Sequence, residues 1–430
     1  MADLTVGAPI PLSRREFLTA AGAGILAGGS LPPASATSHS PKTKGSTREV
    51  LAPYVERGEA PGLVALVARE GREDAHALGV KTLGKPGAVE RDTIFRIASM
   101  TKPVTATAAM MLIEEGKLRL DEPVDRLLPE LAHPKVLKRL DGPLDDVVPA
   151  ARAITTRDLL TFRMGSGLVL AEPGTYPIQK ASDELLGNGM PNPAKLVAPD
   201  EWMRRLGTLP LMHPPGERWM YNTSAIVLGI LVARAAREPL DVFLRERLFA
   251  PLGMHDTDFS VPDSKLHRFT TSYLADPQTG ALSLYDPPEG QWGRPPAHPC
   301  GAAGLVSTAP DFLRFSTLLL GRGVFGNKHL LSEASVKQMT SDALTPANKA
   351  FGALAPGYFD RHGWGFGMAV VTARDDLYMH PGSYGWDGGL GTSWYADPST
   401  KTTGILLTSR SWTEPSPPPM FRDFWRRVNE

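Results

Sequence analysis

The chain has 430 residues and is neutral overall, with 46 Lys and Arg against 46 Asp and Glu. That balance excludes a basic face built for nucleic acid and an acidic disordered tail. One cysteine, Cys300, excludes an intrachain disulfide framework and cysteine-rich metal clusters, and the 42 Gly and 40 Pro point to long ordered loops in an otherwise globular composition.

The N-terminus reads as an address. Ser13-Arg14-Arg15-Glu16-Phe17-Leu18 sets paired arginines before two apolar residues. An Ala- and Gly-rich stretch, Thr19 to Leu31, follows, then the small-x-small site Ala34-Ser35-Ala36. This order resembles a twin-arginine export signal over residues 1–36, so the mature protein is expected to be periplasmic or secreted. The stretch is too short and Gly-rich for a membrane span, which needs about 20 apolar residues. Gly22-Ala23-Gly24-Ile25-Leu26-Ala27 matches a dinucleotide-binding pattern, but no strand precedes it, and it is rejected.

A polar linker is expected over 37–46. Val50 to Gly58 reads as the end of a short helix. Gly62 to Ala68 and Ala75 to Lys81 read as strands, and Gly71 between them suits a hairpin. Ser99 to Glu115 is expected as a helix, with Pro103 in its first turns and Gly116 just past its end. Asp141 to Pro149 and Leu168 to Pro199 are irregular, and the second is long enough to imply a functional insertion or small local helices. Ala225 to Arg237 and Leu240 to Phe249 read as helices, the latter stopped by Pro251-Leu252-Gly253. Asp311 to Leu320 is a further helix. Strand-like runs return at Gly365 to Thr372, Thr392 to Ala396 and Gly404 to Ser409, with a turn at Asp397-Pro398-Ser399-Thr400. Pro418 to Asn429 closes the chain as a helix. Strands at both ends with helices between predict one sheet made from distant segments.

Ser99-Met100-Thr101-Lys102 carries the chemistry. Residues three apart share a helix face, so the Lys102 amine can stand beside the Ser99 hydroxyl. Serine is a weak nucleophile until a base takes its proton, and lysine is such a base only when burial or other cations favour its neutral form. A helix start favours developing negative charge. Alone, the same spacing also describes a capping serine with a surface lysine.

The surroundings narrow the reading. Phe95-Arg96-Ile97-Ala98 precedes the motif and Pro103-Val104-Thr105-Ala106 follows it. Further on come Ile154-Thr155-Thr156-Arg157-Asp158-Leu159-Leu160-Thr161, His213-Pro214-Pro215-Gly216, Pro251-Leu252-Gly253-Met254 and Gly304-Leu305-Val306-Ser307-Thr308. Together these resemble the serine β-lactamase and penicillin-binding-protein superfamily, in particular the group near class C β-lactamases that includes family VIII carboxylesterases and D-amino-acid peptidases. The resemblance covers most of the chain after residue 46. It implies an α+β fold, with an antiparallel sheet from N- and C-terminal segments, flanking helices and an inserted, mostly helical region. Residues 47–430 are then one hydrolase domain, with the insertion over roughly 103–300, and Ser99 is the nucleophile.

The resemblance also implies the remaining parts. Trp219-Met220-Tyr221-Asn222-Thr223-Ser224 stands where the group has its second element, so Tyr221 would share a proton with Lys102 as general base and then acid. The group's Y-x-N is altered: the asparagine falls one residue early, at Asn222, which weighs against lactam or peptide binding. The third element, K-T-G, is missing, and Lys401-Thr402-Thr403-Gly404 has one residue too many. Trp386-Asp387-Gly388-Gly389 is similar to the W-x-G variant of the esterases, and implies an oxyanion hole from the backbone N–H groups of Gly389 and Ser99. Asp387 is unexpected beside an oxyanion site unless it points away.

A Ser-His-Asp hydrolase would usually show G-x-S-x-G, and none occurs. His380, six residues before Trp386, could line the pocket or serve the structure. Trp202, Trp219, Trp364 and Trp394 are candidates for an acyl-pocket wall or plain core. The scattered histidines give no metal motif, so neither metal nor cofactor is expected. The sequence thus predicts an exported serine hydrolase acting through an acyl-enzyme on a small ester or amide. A carboxylesterase leads, with β-lactamase or D-amino-acid peptidase activity, or a non-catalytic penicillin-binding-like protein, as alternatives.

Overall fold

The computed structural model describes residues 45–350 and 354–430. The expected export signal over 1–36 and most of the 37–46 linker lie outside the described residues. Seven strands form the main sheet: β1 (Gly62–Arg69), β2 (Arg72–Gly79), β3 (His362–Trp364), β4 (Ala369–Val371), β5 (Tyr384–Gly388), β6 (Thr392–Asp397) and β7 (Thr402–Thr408). Their order is β3-β4-β5-β6-β7-β1-β2, antiparallel throughout. The first hairpin of the fold therefore closes against its last strand, with Leu66 opposite Ile405. This is the α+β sheet of distant segments that the sequence implied.

Side-chain character explains the order. β1 is apolar along most of its length because it lies between β7 and β2 with both faces covered. β2 is an edge, and its exposed Arg72, Glu73 and Asp74 discourage pairing with another chain.

Five helices matter for the site: α1 (Thr47–Glu56), α2 (Thr101–Glu114), α3 (Thr223–Ala236), α4 (Ala309–Leu320) and α5 (Pro419–Asn429). Ser46 and Glu49 form a capping box that starts α1, worth about 1 kcal/mol. α1 and α5 cover one face of the sheet. There Gly404 leaves room for Trp425 and Val428, and Tyr54 donates to Asp423 Oδ2 at 2.6 Å. α4 covers the other face, where Trp394 Nε1 donates to Ser316 Oγ at 2.8 Å and the Phe312 and Phe315 rings pack on the indole. α3 is buried on every side from Thr223 to Val232, where it packs against α2.

Several elements differ from the sequence reading. The run Gly365 to Thr372 is strand only over β4, because Gly365–Met368 bends between β3 and β4. A Cβ at Gly365 would stand 2.0 Å from the Met339 carbonyl, and Gly367, at φ +74°, presses on Ala106 of α2. β3 and β5 carry no alternating apolar pattern, and both escape a periodicity reading. β2 begins at Arg72, three residues before the apolar run. The Leu240–Phe249 helix is α-helical to Leu244 and then widens to a π-turn over Arg245–Phe249 before Gly253 ends it in a left-handed conformation. The irregular stretch after Leu168 contains a helix, Pro177–Leu186.

Candidate active site

Ser99 does not sit inside α2. It occupies a one-turn 3-10 helix, Ala98–Met100, that leads into it. The segment before it is tied down on every side. Phe95–Arg96 pairs with Val306–Ser307, and Ile97 N donates to Leu305 O at 3.0 Å. The buried Arg96 guanidinium donates to Asp286 through Nε at 3.0 Å and to the Thr270 carbonyl at 2.6 Å, and lies 4.0 Å from the centre of the Phe269 ring. Thr101 Oγ1 donates to Ala98 O at 2.7 Å and accepts from Leu305 N at 3.1 Å. These contacts hold Ala98 at φ +44°, a left-handed conformation that costs a residue with a side chain about 1–2 kcal/mol. Asn222, the residue after Tyr221, is held at φ +84°. The two strained positions flank the two residues that present hydroxyls to the site.

Lys102, only 1% exposed, lies one turn along. Its Nζ is 2.9 Å from Ser99 Oγ and 2.8 Å from the Ala302 carbonyl, and stands over the Tyr221 ring at 4.4 Å from its centre. Burial brings the amine down from 10.5 to about 7. The Lys102 nitrogen is therefore neutral in a large fraction of molecules near pH 7. With one N–H on Ala302 O, its lone pair can face the Ser99 proton. The Tyr221 hydroxyl hydrogen-bonds Ser99 and accepts from Trp386 Nε1 at 2.8 Å. Burial pushes this phenol well up, despite both hydrogen bonds, so it stays protonated. The geometry thus gives the amine the better place as base and leaves the phenol as a proton donor. The sequence reading had Tyr221 share a proton with Lys102, acting as base and then as acid.

β5 runs past this pair. A Cβ at Gly388 would stand 2.4 Å from the Ile97 carbonyl oxygen and 2.2 Å from Thr392 Oγ1, so only glycine lets this strand lie against the serine turn. Thr392 Oγ1 fastens the contact by donating to Ile97 O at 3.1 Å. Gly389 follows at the strand end, with open space where a Cβ would be, and its carbonyl accepts from Trp412 N at 2.9 Å. Trp386 stands in an aromatic cluster: its ring centre is 5.7 Å from that of Tyr221 and 4.6 Å from that of Trp364, and Trp219 and Phe162 complete the group.

Four candidates belong elsewhere. Asp387 alternates to the opposite face from Trp386, where Ser393 and Tyr395 donate to its carboxylate, so its side chain is not a substrate-binding group on the Tyr221 side. His380 pairs through Nδ1 with Asp397 Oδ2 at 2.7 Å. Asp397 ends β6 five residues beyond Thr392, about 17 Å along the strand. His380 therefore braces the β6–β7 turn and does not line the serine. Of the four tryptophans, Trp219 packs against the Tyr221 ring and Trp364 packs on Trp219 and Trp386. Trp202 donates to Leu186 O at 3.1 Å and Trp394 serves the α4 core.

The sequence reading missed the Ala302 carbonyl, the acceptor that holds the lysine. The only sign of it was the paired Gly301 and Gly304. A Cβ at Gly301 would crowd Ala225 O at 2.9 Å, and one at Gly304 the Phe259 ring at 2.6 Å. Neighbouring Cys300 is buried, and burial raises its thiol. Among the described residues no group of three or more His, Cys, Asp and Glu could hold a metal ion, and no helix is long and apolar enough to cross a membrane.

Known proteins resemble this chain over most of its length. The sequence profile of the beta-lactamase family matches residues 47–422. Protein Rv1367c of Mycobacterium tuberculosis is 39% identical over 370 residues, covering 84% of this chain and 88% of that protein. Esterase EstB of Burkholderia gladioli is 31% identical, covering 83% of this chain and 88% of the esterase. Among solved structures, EstCE1, described as a hydrolase with promiscuous acyltransferase activity, superposes with a TM-score of 0.72 at 25% identity, over 89% of this chain and 97% of its own.

Proposed function

This chain belongs to the beta-lactamase family, and from that footing we propose that it is a serine hydrolase working through an acyl-enzyme, with small uncharged esters as its substrates. The observation that carries the reading is the Ser99 hydroxyl held 2.9 Å from a buried amine whose charged form burial disfavours. Lys102 takes the Ser99 proton as Oγ attacks the ester carbonyl. The backbone N–H groups of Ser99 and Gly389 receive the tetrahedral oxyanion. Tyr221, protonated and linked to Trp386, gives its proton to the departing alkoxide and is recharged from Lys102. Water then attacks the acyl-enzyme by the reverse proton path and frees the acid.

The uncharged ester is favoured over a lactam by what replaces the family's third element. Where the family has K-T-G, with its lysine, this chain has Trp386-Asp387-Gly388, which offers no cation to attract an anionic substrate. Relatives named as an esterase and as a hydrolase with promiscuous acyltransferase activity support the same choice. The second of these names also favours a further reading, transfer of the acyl group to an alcohol in place of water. We also propose export through the Arg14-Arg15 signal. Replacing both arginines by lysine should leave precursor in the cytoplasm, and unchanged export would refute it.

The test of the enzyme is direct. A fluorophosphonate should label the wild type and not Ser99→Ala, and p-nitrophenyl butyrate should turn over only in the wild type. A stoichiometric adduct without turnover would point to a non-catalytic binding protein. Nitrocefin or D-alanyl amide hydrolysis exceeding ester hydrolysis would overturn the substrate class. Added alcohol that diverts the acyl group into a new ester would establish transfer.

A further inference from the structure

We propose that Asp387 is a positioning residue: its ionised carboxylate, fastened to Ser393 and Tyr395, holds Trp386–Gly389 in working register against Tyr221 and the serine turn, and its protonation releases that hold. This rests on the hydrolase reading above and concerns how the same site is regulated.

The placement is the first argument. Asp387 lies between Trp386, whose indole donates to the Tyr221 hydroxyl at 2.8 Å, and Gly388, which packs against the Ile97 carbonyl. Its side chain reaches the other face and is bonded to two residues of β6. One residue thus pins the middle of the segment whose two ends address the site. Directionality is the second argument. Trp425 Nε1 on α5 donates to Ser393 Oγ at 2.8 Å, and an indole N–H can only donate. The Ser393 proton is therefore turned towards Asp387 Oδ1, while Tyr395 donates to Oδ2 at 3.4 Å. Both oxygens are arranged to accept, so a proton added to either opposes one of the two donors.

The surroundings make that proton available near neutral pH. Burial pushes the Asp387 carboxyl up to about 6, against the Ser393 and Tyr395 hydrogen bonds and the influence of His362 on β3. Tyr395 on β6 and His362 on β3 act on it directly, and its charge is felt by Tyr358 on the turn Tyr358–Asp360 and, across the strand, by Tyr221 before α3; Asp375 lies 3.6 Å from His362 Nε2. No arginine or lysine pairs with Asp387 among the described residues.

The experiment is the pH profile of kcat/KM for p-nitrophenyl butyrate in the wild type, Asp387→Asn and Tyr395→Phe. Below pH 6 the wild type must lose two protons, from Lys102 and Asp387, so log kcat/KM should rise with a slope of about two. Asp387→Asn should show a slope of about one, and at pH 8 a kcat lowered about tenfold with KM within about twofold. Tyr395→Phe removes one donor from the carboxylate and should move the lower break to higher pH. It also serves if Asp387→Asn does not fold. A slope of two in Asp387→Asn, a changed KM with unchanged kcat, or an unmoved break in Tyr395→Phe would overturn the proposal. Fluorophosphonate labelling on the same samples separates the failures. An unlabelled wild type sinks the hydrolase reading and this inference together, whereas a labelled wild type with unaltered variant profiles sinks only the role of Asp387.

Discussion

Replacing Lys102 by methionine should inactivate the protein and make it more stable at neutral pH. Burial lowers the amine from 10.5 to about 7, which at about 1.4 kcal/mol per pH unit is a penalty of about 5 kcal/mol on folding the charged form. Methionine fills much the same volume without charge. It loses the amine's hydrogen bonds to Ser99 and the Ala302 carbonyl, worth about 1 kcal/mol each. The variant should therefore gain about 3 kcal/mol at pH 7. The sign follows from proton counting. Between pH 7 and 10.5 the unfolded lysine holds its proton and the folded one does not, so wild-type stability rises with pH, while below pH 7 the whole penalty applies. The advantage of Lys102→Met should shrink by about 1.4 kcal/mol per pH unit and vanish near about pH 9. Urea unfolding of both proteins at pH 7, 8, 9 and 10 measures this difference and cancels the other titrating groups. A difference that stays constant with pH, or a variant less stable at pH 7, would refute the assignment of a buried neutral amine.

The other expectations test the parts around it. Gly388→Ala should abolish activity, because its Cβ would meet Ile97 O at 2.4 Å, whereas Gly389→Ala has open space and should keep most of it; equal losses in the two, measured by burst acylation, would contradict the packing. Trp386→Phe removes the N–H that meets Tyr221 at 2.8 Å, and kcat should fall about fivefold to tenfold with little change in KM, as expected for one hydrogen bond. Asp286→Asn leaves the buried Arg96 charge without its partner and should cost about 3–5 kcal/mol, read as a lowered denaturant midpoint.

The legible parts of this protein were those written locally. The spacing of Ser99 and Lys102 is a property of any helical turn, and the apolar runs of β1 and β7 announce buried strands whatever they pair with. The Tyr221 position was readable through its neighbours and the family they resemble. β3 and β5 were not readable. Gly385, Gly388 and Gly363 interrupt any alternation, and those glycines exist for what lies across from them: the Trp394 carbonyl 2.0 Å from a Cβ at Gly385, Ile97 against Gly388, the Asp342 carboxylate against Gly363.

Sequence alone determined the chemistry on offer: a serine, a lysine one turn away, a tyrosine, a W-x-G motif and a neutral net charge with no metal-ligand pattern. Only the tertiary structure decided how that chemistry is set. Burial of Lys102 beside Ala302 favours the neutral amine and burial of Tyr221 favours the protonated phenol, because desolvation disfavours both charged forms. Strand alternation sends Asp387 behind the sheet, and the length of β6 carries His380 away from the serine. These outcomes depend on which surfaces meet across hundreds of residues, and no local pattern encodes the solvent that a side chain will lose.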